Sequence, residues 1–226
     1  MVMAIKKSGK QSEPISHTRL AYAPLLLMSV LTPMAHADLH ENVTTSTYQV
    51  TATPEDNWKT AVDAASPIRE NGAIFTGNTQ NNTTWTFSYN TRPDGRCAIE
   101  SVHTNLDVTV TLPELMVNDE RQRAEFNAYK INLTRHEMGH VQIARQFAQK
   151  IDQTIMNLPA ASTCDELEST ANARGNEIIN TQNAENQRYD AVTQHGQNQA
   201  AWRQSTHQAK TPQLAPRGSV LRLVQK

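Results

Sequence analysis

The chain has 226 residues, a formal net charge of −1 and a mean hydropathy of −0.60, with 38% hydrophobic and 5% aromatic residues. That length allows one or two domains with a real core, and the polar average excludes a multi-span membrane protein. The central region has no concentrated basic patch, so nothing calls for a nucleic-acid backbone as partner.

Residues 1–37 read as an export signal. Lys6, Lys7, Lys10 and Arg19 form a positive start, and residues 20–31 are an apolar run too short to span a membrane comfortably. Ala35-His36-Ala37 has the small-x-small form accepted by a leader peptidase, which places cleavage before Asp38. No cysteine follows the apolar run, so neither a lipid anchor nor stable membrane insertion of the product is expected, and the protein should be periplasmic or secreted. The remaining chain keeps 17 basic and 21 acidic residues, a net charge near −4.

Residues 38–53 begin polar and then alternate at Tyr48, Val50 and Ala52, a predicted first strand. Thr53 as N-cap and Pro54 at the first helical position predict a helix with Trp58, Ala61, Val62 and Ala65 on its apolar side, ended by Ser66-Pro67 and Asn71-Gly72. Ala73-Ile74-Phe75, then residues 84–89, then Cys97-Ala98-Ile99 leading into residues 106–112 are strand-like, with turns expected at residues 77–82 and at Arg92-Pro93-Asp94-Gly95. Pro113 is expected to end the strands. These pieces predict an α+β fold with a small, mostly antiparallel sheet and one packed helix.

From about Asn118 the apolar period becomes 3.6, with Tyr129, Leu133, His136, Glu137, His140, Ala144, Phe147, Ile151 and Ile155 on one stripe. Within it lies the pentad His136-Glu137-Met138-Gly139-His140. On a helix, residues four apart share a face, so His136 and His140 can ligate one Zn2+ while Glu137 acts on a water beside it. Leu158-Pro159 breaks the helix, and Thr163 with Glu166 fits a capping box that opens a second long helix running to about His195-Gly196. A short connection makes the two helices antiparallel, so the end of the second returns beside His136. The extended form of the motif fails, because Ile143 and Gln146 stand where glycine and histidine are needed. The third ligand must therefore come from elsewhere: His195, or Glu177 or Glu185 on the second helix, with His40, His103 and His207 in less suitable contexts. Tyr189 could donate to a developing oxyanion, and Asp190 could orient a ligating histidine from behind. Cys97 and Cys164 are the only cysteines, and in an exported protein they are expected to form one disulfide. The expected layout is a leader over 1–37, a single zincin-like metallopeptidase domain over 38–200 and a flexible tail over 201–226.

Five pieces carry a resemblance: Gly95-Arg96-Cys97-Ala98-Ile99, Val110-Thr111-Leu112-Pro113, the pentad, Cys164, and Tyr189-Asp190-Ala191-Val192-Thr193-Gln194-His195-Gly196. Across residues 45–198 the chain resembles the bacterial family of predicted secreted zinc-dependent proteases, long catalogued as a domain of unknown function. The resemblance implies metallopeptidase-like zinc ligation with His195 as third ligand but no known substrate; a protein or peptide is the expected one. The expected activity is amide hydrolysis with Glu137 as general base. A zinc-binding envelope protein without efficient catalysis and a zinc amidase acting on cell-wall peptide are the alternatives.

Overall fold

The computed structural model describes residues 36–70 and 72–198; most of the expected leader, Asn71 and the expected tail lie outside them. The elements are β1 (His36–Thr51), α1 (Trp58–Ala65), β2 (Ile68–Glu70), β3 (Ala73–Phe75), β4 (Asn78–Thr91), β5 (Cys97–Met116), α2 (Glu120–Met156) and α3 (Cys164–Thr193). The architecture is α+β, with one short helix and two long C-terminal helices beside the sheet.

β5 is the centre of a three-stranded sheet in the order β1-β5-β4. It alternates over most of its length: Val102, Thr104, Leu106, Val108, Val110 and Leu112 are buried on one side, while His103, Asn105, Asp107 and Thr109 face out. β4 pairs with it antiparallel and β1 parallel, and β2 and β3 form a separate antiparallel hairpin. Pro113 does not end β5. It pairs with Tyr48 of β1, beyond the point where β4 leaves at Asn78↔Thr111, and a proline is tolerated there because only one neighbour needs hydrogen bonds.

α2 covers the apolar face of β5 with Leu133, Val141, Ala144 and Ala148, and further along with Ile151 and Ile155. Its N-cap is Asp119, whose carboxylate accepts from Gln122 N at 2.8 Å. α3 starts as the capping residues predict: Thr163 Oγ1 accepts from Glu166 N at 3.2 Å. α1 starts later than expected, at Trp58 with Asn57 as N-cap, because Asp56 turns back to accept from Thr53 N at 2.7 Å. Trp58 and Val62 of α1 pack with Val50 and Phe126 in a satellite core.

α3 lies antiparallel on α2, as residues 136, 140, 186, 190 and 193 meet across the pair. Two glycines set how closely α3 approaches. A Cβ on Gly175 would meet the Trp85 ring at 2.4 Å, and one on Gly139 would meet the Tyr189 hydroxyl at 2.0 Å. At the far end a Cys97–Cys164 disulfide and a short backbone pairing of Cys97 with Ala161 tie the start of β5 to the α2–α3 connection.

Candidate metal centre

His136 and His140 lie one turn apart on α2, and Asp190 faces them from α3. Their ligand atoms lie within 4.8 Å of one another, the one such group of three among the described residues. Asp190 Oδ1 is 3.2 Å from His136 Nε2 and 2.9 Å from His140 Nε2. Ligands around a tetrahedral zinc with bonds of about 2.0–2.1 Å stand about 3.3 Å apart, so this spacing suits such an ion.

The opposite ring nitrogens are also held. His140 Nδ1 is 2.9 Å from Asn186 Oδ1, and His136 Nδ1 is 3.4 Å from Thr193 Oγ1, whose own proton goes to the Tyr189 carbonyl at 2.7 Å. With Nδ1 of each ring as the donor, both Nε2 lone pairs point at one carboxylate oxygen. Three acceptors converging on one point require protons or a cation between them, and the donor set of two imidazoles and a carboxylate is one zinc accepts.

Charge follows the same logic. Burial alone would raise the Asp190 carboxyl, but hydrogen bonds from His136 and His140 hold it well below the usual range. Burial opposes charge on His140, yet its bonds with Asp190 and Asn186 outweigh this and raise the imidazole above its ordinary value. A divalent ion would take the place of the protons this arrangement otherwise recruits.

Glu137 is buried against the same cavity. Burial pushes its carboxyl above the ordinary value, tempered by a hydrogen bond from Thr79 and by the two imidazoles. Thr79 Oγ1 stands 2.6 Å from Glu137 Oε2 and 3.2 Å from the Glu137 carbonyl. β4 comes this close because residue 77 is glycine: a Cβ there would lie 2.6 Å from Glu137 Oε1 and 2.8 Å from Leu133 Cδ1. Sequence reasoning missed Gly77, Thr79 and Asn186. Its only available signal was Gly77 between two strand-like stretches, which read as a turn.

Tyr189 is 1% exposed, stacks on His136 with ring centroids 4.9 Å apart, and donates its hydroxyl to the His136 carbonyl at 3.1 Å. That hydroxyl bonds the helix backbone, and Tyr189 packs behind His136, outside the residues that line the cavity. From the sequence, His195 is the expected third ligand, with Asp190 in a supporting role. The structure puts Asp190 in the trio and His195 just beyond it, its Nδ1 3.8 Å from Asp190 Oδ1 and its ring against Phe75. The reason is positional. Residue 190 shares a helix face with Asn186 and Thr193, whereas residue 195 lies past the helix end in a left-handed run, Gln194 (φ 51°), His195 (φ 50°) and Gly196 (φ 90°). Gly196 is needed twice, for that φ and because a Cβ would meet His136 Cβ at 2.9 Å. Glu177 and Glu185 pair with Arg174 and Arg188, and His40 and His103 are exposed on the sheet.

The centre opens into a cavity of about 670 Å³, walled by the β2–β3 hairpin, the start of β4, α2 and the end of α3. Its lining has four carboxylates, from Asp63, Glu70, Glu137 and Asp190, and no Lys or Arg, so it attracts cations.

The fold and this cluster define a protein with a zincin-like candidate metal site, built from one helix pair beside a small sheet. Over residues 45–196 the chain matches the family described as "Bacterial protein of unknown function (DUF922)", and it belongs to that family. No curated protein and no solved structure matches the chain.

Proposed function

We propose that the protein is an exported zinc-dependent peptidase, with residues 1–37 as its leader, residues 38–200 as one catalytic domain and residues 201–226 as a tail. The observation that carries this reading is Glu137 buried beside the His136, His140 and Asp190 trio at the wall of an accessible cavity. A purely structural site has no need of a fourth residue with an unligated carboxylate or of an open side. The disulfide supports an oxidising compartment, and no helix among the described residues is long and apolar enough to cross a membrane.

In this reading His136, His140 and Asp190 hold Zn2+, with His195 at the rim facing substrate. The ion supplies Lewis acidity, polarising a carbonyl and acidifying water. Glu137 accepts a proton from the attacking water at one carboxylate oxygen while Thr79 holds the other, and it then delivers that proton to the leaving amine. Tyr189 and Thr193 lock the His136 ring, and Asn186 locks that of His140. The cavity's acidic lining favours peptides without a concentration of carboxylates.

The test is Glu137→Gln, with zinc content and cleavage of a mixed peptide library measured together. Zinc retained and turnover reduced by about 10²–10⁴-fold is the expected result. Undiminished cleavage removes Glu137 from the mechanism, and a wild type that holds zinc but cleaves neither peptides nor peptidoglycan leaves a binding protein.

A further inference from the structure

Asp152 is a buried carboxylate that the metal centre does not use. It lies on α2 three turns past His140, is 5% exposed, and accepts from Thr104 Oγ1 at 2.5 Å. Among the described residues no Lys or Arg pairs with it. A charge held in such a place by one neutral hydroxyl is costly, and burial accordingly pushes the carboxyl above its ordinary value.

Besides Thr104, the Asp38 carboxylate acts on Asp152 and raises it, and the exposed His103 acts on it and lowers it; no ammonium or guanidinium among the described residues does so. β1 and α2 are in register through a bidentate pair, Glu41 with Arg145 at 2.7 Å for both contacts. From Arg145 to Asp152 the helix advances seven residues, and from Glu41 back to Asp38 the strand retreats three; each covers about 10 Å. The directions agree, because Thr104, which bonds Asp152, is the register partner of Leu39. The odd-numbered residues Leu39 and Glu41 both face α2, Leu39 against the cluster that contains Ala144 and Ala148. Leu39 therefore lies about one strand spacing from the Thr104 that Asp152 bonds, and Asp38, the register partner of His103, is the next residue along the strand.

That is where the leader is expected to end. Hydrolysis of the Ala37–Asp38 peptide bond by a leader peptidase leaves a carboxylate on Ala37 of the leader and an α-ammonium on Asp38. Loss of Ala37, whose side chain shares the α2-facing side of the strand, also opens room for that ammonium to turn inward.

We propose that Asp152 is the docking site for the new N-terminus, so that removal of the leader supplies a directly paired ammonium to this buried carboxylate and clamps β1 to α2. The inference rests on export and cleavage after Ala37 and is independent of zinc and catalysis. An uncleaved chain has a neutral amide at the same point and cannot make the contact.

The experiment uses protein exported by its own leader, as wild type and as Asp152→Asn. Intact mass must first give a chain beginning at Asp38; any other start overturns the proposal by overturning the cleavage site. Cyanate near pH 6.5 then carbamylates the α-amine while lysines stay protonated. Docking shields the amine, so native wild type should react at least about tenfold more slowly than D152N. Carbamylated wild type should melt about 5 °C lower than the unmodified form, while D152N should show no such difference. Equal reaction rates, or the same melting shift in both proteins, overturn the docking and leave the export reading intact.

Discussion

Gly139→Ala should destabilise this protein, although alanine is the better helix former. In an exposed helix interior the change gains up to about 1 kcal/mol. Here the new Cβ would lie 2.0 Å from the Tyr189 hydroxyl and 2.3 Å from its ring carbon Cζ, well inside contact distance. The tyrosine has no room to retreat, being 1% exposed, stacked on His136 and hydrogen-bonded to the His136 carbonyl. Overpacking of this kind costs about 1–3 kcal/mol, and displacing the hydroxyl forfeits about 1 kcal/mol more. After the propensity gain the net loss is about 1–3 kcal/mol, a fall in Tm of about 2–12 °C for a chain of this size. Zinc affinity should drop as well, since the displaced ring is what orients His136. Thermal melts with and without zinc, repeated on a Tyr189→Ala background, separate the effects: without the ring, Gly139→Ala should become neutral or stabilising. A Gly139→Ala single variant that melts at or above the wild type refutes the argument, because it would mean helix propensity outweighs the contact.

Asp190→Asn should weaken zinc binding by more than about 100-fold, and His195→Ala by about tenfold or less; the opposite order, read by competition with a chelator, would return His195 to the ligand set. In the metal-free protein His140 is raised in the folded state, so its contribution to stability is full below its ordinary value of 6.5 and fades as pH rises through the raised one. Asp190 is depressed, so its contribution is present at and above 3.8 and fades only as pH falls toward its lowered value. Metal-free protein should thus be most stable in mild acid. Zinc, which needs imidazoles without the competing proton, should raise Tm more at pH 8 than at pH 5.5, and an increment that does not vary with pH would contradict the ligand assignment. Reducing the Cys97–Cys164 bond should cost about 2–4 kcal/mol, read as a drop of about 4–16 °C in Tm with a reductant that does not chelate zinc; an unchanged melt would show that the Cys97–Ala161 backbone pairing suffices alone.

The helical half was legible because its signals are local. Thr163 and Glu166 mark the start of α3, and the 3.6 period through Leu133, His136, Ala144 and Ile151 marks the buried side of α2. The sheet was less legible for physical reasons. β1 runs from His36, but Asn42 to Thr47 are exposed on an edge strand, so no apolar alternation records them. Its parallel pairing with β5 joins residues 65 apart in sequence, which no local pattern reveals. Gln80, Asn81 and Asn82 read as a turn, yet they continue β4: Gln80 and Asn82 share the polar outer face with Thr109 and Asp107, while Asn81 accepts from the buried Gln182. The site divides in the same way. His136, Glu137 and His140 follow from one turn of helix, whereas the choice between residues 190 and 195 depends on where α3 stops and turns left-handed.

The tie at Cys97 and Cys164 sits at the fulcrum of a long lever. From Cys164 to Asp190 the rod of α3 measures about 39 Å, so a tilt of 5° at the pivot would swing the carboxylate by about 3 Å, more than a whole coordination bond. A bond that fixes this pivot would add to the packing along α3 that keeps Asp190 within reach of the two imidazoles.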